Sequence, residues 1–129
     1  MARFLLVLRP SVPKEPRELI EGLGPLLEGL QAAVDHRTPA HLSAMLNGGS
    51  DNLPLQLFAD VQARASGPVL ELVLMSREAM GRGAPQTRQS FETLVELALQ
   101  TQPDLEAVFR SDRDGPLPDR QAAAGGGDA

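Results

Sequence analysis

One stretch decides what this chain can fold into: "LPLQLFADVQARASGPVLELVLMS", residues 53–76. Its second half, "VLELVLM" (69–75), reads as a strand in any context, with only Glu71 breaking its apolarity. Its first half reads two ways. As a strand, Leu53, Leu55, Leu57, Ala59, Val61 and Ala63 share one face, and Phe58 is left among polar residues. As a helix, Leu53, Leu57, Phe58, Val61 and Ala65 make one stripe with no misplaced aromatic. Composition favours the helix, because Leu, Gln, Ala and Arg are good helix formers and Ala is poor in strands. Asp51 or Asn52 suits its N-cap, Pro54 its first turn, and Gly67–Pro68 its end.

The rest of the chain supplies the other elements. "ARFLLVL" (2–8) predicts a strand buried on both faces, closed by prolines at 10, 13 and 16. Residues 16–37 carry Leu19, Ile20, Leu23, Leu26, Leu27, Leu30 and Val34 at helical spacing, with Gly24–Pro25 in the middle. That predicts a short helix, a break, and a second helix of about three turns. Thr38–Pro39 looks like a capped start for another short helix over 38–46, ended by "NGG" (47–49). Residues 84–102 are the clearest helix, with Phe91, Leu94, Val95, Ala98 and Leu99 on one side. "DLEAVFR" (104–110) alternates as an edge strand. The last residues, from about 115, have no periodicity and read as a disordered tail. The division is thus one domain over 1–114 and a tail over 115–129.

Two architectures follow. With the helix at 53–65, strands alternate with helices, and the expectation is an α/β domain. It has a small three-stranded, mainly parallel sheet with helices on both faces. With a strand at 53–63, the order becomes the ferredoxin-like βαββαβ, an α+β fold whose helices lie on one side. Its other sheet face would be bare, and a homodimer closing sheet on sheet is the natural cover.

Bulk properties narrow the function classes. The 129 residues hold no cysteine, Trp or Tyr, four Phe, and a net charge of −5. Disulfides and thiolate sites are excluded. An acidic chain with its basic residues scattered and few stacking rings does not suit nucleic acid. The longest aliphatic or aromatic run is Phe4–Leu8, too short for a signal peptide or a membrane span. The expected location is the cytoplasm, with no membrane partner. Eleven arginines to one lysine suit a GC-rich, bacterial genome.

No motif names a reaction. Each predicted strand runs into an arginine beside a serine: Arg9 and Ser11, Ser76 and Arg77, Arg110 and Ser111. In a parallel sheet these ends meet where ligands of open α/β sheets bind, and guanidinium groups would hold a phosphate or carboxylate there. Strands turning polar as they leave the core explain the same pattern. "GRGAPQTRQ" (81–89), with Arg82 and Arg88, offers a helix N-terminus to an anion, although it matches no phosphate-loop pattern. His36 and His41 are the two histidines; a metal site needs more ligands, and none is expected. No catalytic residue and no cofactor is assigned. The expected function is a non-catalytic regulatory or adaptor module that binds a partner protein or a small anion. The alternative is a ferredoxin-like homodimer that binds a small molecule or acts as an enzyme.

Overall fold

The computed structural model describes residues 1–48 and 53–114. Its strands are β1 (Ala2–Pro10), β2 (Ala33–Thr38), β3 (His41–Gly48), β4 (Leu53–Gln62), β5 (Val69–Ser76) and β6 (Leu105–Arg110). They form one six-stranded sheet in the order β2-β3-β4-β5-β1-β6, and every neighbouring pair is antiparallel. The helices α1 (Pro16–Glu21), α2 (Gly24–Leu30) and α3 (Pro85–Thr101) share one hydrophobic core with one face of this sheet.

The expected α/β domain, with three mainly parallel strands and helices on both faces, is therefore corrected. Residues 53–62 are a strand, paired with β5 so that Leu57 meets Leu74 and Ala59 meets Leu72. Both strands then turn these side chains toward the helices. The order β1, helices, β4, β5, α3, β6 follows the alternative βαββαβ pattern, with the hairpin β2–β3 added at the β4 edge.

Two further expectations change. Residues 38–46 are a hairpin turn and a strand, not a helix. Thr38 Oγ1 accepts a hydrogen bond from the Ala40 amide at 3.3 Å, so the residue read as a helix cap closes a turn. The second early helix has seven residues, shorter than three turns, and ends at Gln31 in the left-handed region (φ 55°). The break at Gly24–Pro25 is where it was expected. The predicted caps Asp51 and Asn52 and the tail 115–129 lie outside the described residues.

The core is a layer of leucines closed by α3. Leu6, Leu8, Leu55, Leu57, Leu70, Leu72 and Leu74 are inaccessible, as is Phe91, the largest fully buried side chain. Phe91 stacks on Phe4 at 5.3 Å between ring centroids. Truncating such a side chain removes transfer free energy and leaves a cavity. Phe91→Ala should cost about 3–5 kcal/mol, and Leu72→Ala about 2–5 kcal/mol. Val34→Ala, on the exposed edge strand, should stay within about 0.5 kcal/mol. Urea unfolding followed by circular dichroism measures all three.

Candidate functional site

The antiparallel sheet redistributes the arginines. Arg9 and Ser11 lie at one end of β1, whereas Ser76, Arg77 and Arg110 close strands that run the opposite way. Arg9 pairs with Glu106 at 3.2 Å, and Ser11 bonds through its backbone to Asp104. Arg110 makes two bonds to Asp112, at 3.0 and 2.7 Å, and lies over the Phe91 ring. The pair sits mostly out of solvent. The hydrogen bond to Asp112 raises the Arg110 pKa; burial works to raise that of Asp112, but Arg110 holds it below the ordinary carboxylate range. Arg88 stands over Phe4 and donates to the Gly83 carbonyl. Arg82 is exposed on the short 3-10 turn before α3. Arg77 is exposed on the rim of a cavity described below.

The start of α3 does hold an anion, and the anion belongs to this chain. The Glu78 carboxylate accepts the amides of Gln86 (3.1 Å) and Thr87 (2.7 Å) and the Thr87 hydroxyl (2.6 Å). Ser76 Oγ completes the network, 2.6 Å from the Thr87 hydroxyl, and accepts the Glu78 amide. Ser76 is thus an anchor between β5 and α3.

Among the described residues the other sheet face carries no helix. Its registers read as rows across the strands. The middle row runs Leu5, Val73, Phe58, Ser43, His36. On one side lies the row Arg3, Met75, Gln56, Met45. On the other lies Val7, Glu71, Asp60, His41. The middle row is apolar over Leu5, Val73 and Phe58; one flank carries Arg3, and the other carries two carboxylates paired within the chain, Glu71 with Arg64 and Asp60 with His41. A cavity of about 590 Å³ opens on the Arg3 flank, lined by Met1, Met45, Pro54, Gln56, Met75 and Arg77 among others.

The opposite flank holds a polar cluster that sequence reasoning missed. His41 Nδ1 is 2.6 Å from Asp60 Oδ1, across the β3–β4 register. The His41 ring is 5.8 Å from that of His36 and 6.4 Å from that of Phe58. Ser43, two residues along, donates its hydroxyl to Asp35. The signal was present: "HLSAMLN" (41–47) alternates Leu42, Ala44 and Leu46 against His41, Ser43 and Met45. Read as a strand, it puts His41 and Ser43 on one face. Among the described residues no group of three or more His, Cys, Asp or Glu could hold a metal.

Comparison with known proteins adds little. No family model matches the chain, and no curated protein matches it. Among solved structures, it is similar to that of the protein MLL2253 from Mesorhizobium loti. The identity is 18%, with a TM-score of 0.46, over 74% of this chain and 97% of that one. Among the described residues no helix is long and apolar enough to cross a membrane.

The Glu78 cap gives a pH test. Burial works to raise its pKa, but the bonds from Thr87 and Gln86 outweigh it and bring the carboxyl below its ordinary value. A depressed carboxyl stabilises the fold above its unfolded pKa, and that stability is lost as pH falls through the folded one. Glu78→Gln should lower the melting temperature at neutral pH, and the gap to wild type should close as the pH falls below 4.5. Calorimetry across that range measures it.

Proposed function

We propose that the protein works as a homodimer whose two open sheet faces close on each other and hold a small molecule between them. One observation carries this reading: the face of Leu5, Val73 and Phe58 is apolar at its centre, with Leu5 and Val73 buried and Phe58 half-buried among their neighbours, and among the described residues no helix lies over it. The adaptor reading requires a sheet covered on both sides, so the bare face favours the alternative.

The occupant argued for is a second copy, for two reasons. The first is fit. A two-fold axis along the middle row lays apolar centre on apolar centre and each flank over the other, with Met75 over Glu71 and Gln56 over Asp60, whose charges are already paired with Arg64 and His41. The second is size. Strands of six to ten residues, six side by side, span roughly 29 by 26 Å, or about 750 Å². A standard interface buries roughly 800 Å² on each partner. The cavity beside Met45 and Met75 then becomes an enclosed pocket with Arg77 at its rim. A chain free of cysteine suits a reducing compartment, and we place the dimer in the cytoplasm.

Native mass spectrometry of the chain isolated from its own host tests this. A dimer mass is expected. Phe58→Glu puts a charge at the centre of the interface and should halve the mass while the far-ultraviolet circular dichroism stays unchanged. A monomer, or one copy bound to a different polypeptide, contradicts the proposal.

A further inference from the structure

We propose that His41, oriented by Asp60, accepts a proton from a small apolar ligand held between the two copies, in a site completed by Met45, Gln56 and Met75 of the second copy. This rests on the dimer reading above.

The chemistry starts from the 2.6 Å contact between His41 Nδ1 and Asp60. A carboxylate only accepts hydrogen bonds, so Nδ1 carries the hydrogen and the neutral ring has its lone pair on Nε2. That is the tautomer of a general base held by an orienting acid. Ser43 is not the nucleophile of such a pair, because its hydroxyl is bonded to Asp35. Phe58 supplies an apolar ring beside the imidazole. The charged and titratable groups around the ring are Asp60 from β4, Glu71 beyond it on β5 with its partner Arg64, and His36 and Asp35 from β2.

The second copy follows from the rows. Within one chain, His41 and the Met45–Gln56 pair stand on opposite sides of the middle row, four residues apart along β3. That is about 14 Å, too far for one small ligand to touch both. The two-fold axis along the middle row carries the His41–Asp60 pair of one copy over the Met45–Gln56 pair of the other. The base and the cavity then face each other across the interface, and each site draws on both chains.

The test uses the full chain and 5-nitrobenzisoxazole, a small apolar probe of base catalysis. A base takes the ring C–H proton, the released electron pair forms the nitrile, the N–O bond breaks, and a coloured phenolate leaves. No oxidant or reductant enters. The expected result is saturable turnover above that of equimolar free imidazole. His41→Ala should lower it by at least about 100-fold. Asp60→Asn takes away the carboxylate that holds the Nδ1 hydrogen and should lower kcat with little change in the KM for the probe. Met45→Trp fills the cavity from an exposed position and should also abolish turnover. Coexpressing His41→Ala with Met45→Trp chains should restore about a quarter of it, because half the dimers are mixed and each has one intact site of two.

A dimer with no turnover above imidazole, or a mixture that restores nothing, overturns this site and leaves the dimer reading standing. A monomeric wild-type chain overturns both.

Discussion

The structure depends on the pairing of β4 with β5. Its register sets Leu57 beside Leu74 and Ala59 beside Leu72, all on the helical side. Because side chains alternate along a strand, that one register also fixes what faces the other way: Phe58 beside Val73, and Gln56 beside Met75. The hairpin occupies the chain that would otherwise make a covering helix. The bare face, its apolar centre and its charged flanks are thus consequences of a single pairing.

The two faces divide the work differently. The helical face is a continuous leucine layer closed by Phe91 and locked at its edge by half-buried polar groups. Glu78 secures the start of α3, and Arg110 with Asp112 seals the end of β6. The arginines of the strand ends mostly have partners within the chain, which gives them a structural part. The open face mixes apolar and polar side chains in rows, and it is here that cavity and histidine–aspartate pair are found. A face that must associate and hold a ligand carries both kinds of residue.

Much of the fold was legible. The strands at β1 and β5, the break at Gly24–Pro25, helix α3 and the edge strand β6 all follow from local patterning. The misreadings share a physical cause. Phe58 looked misplaced on a strand because its neighbours are polar, yet it lies beside Val73 at the centre of an apolar band assembled from separate strands. Leu, Gln and Ala in β4 are good helix formers in isolation, and pairing on both sides outweighs that preference. Strand β2 is exposed along its whole length, so it shows no buried stripe. Thr38–Pro39 suits a helix start and a turn equally well, and the alternation over 41–47 was the feature that separated them. The site was lost with β3, since His41 and Asp60 meet only across the β3–β4 register.

The most direct test of the paired faces is an isotope-filtered nuclear Overhauser measurement on dimers mixed from methionine-methyl-labelled and unlabelled chains. The account predicts cross-peaks from the Met45 methyl of the labelled copy to the His41 ring protons of the unlabelled one, a contact that one chain cannot make. Open-face methyls that show no intermolecular cross-peak would contradict it.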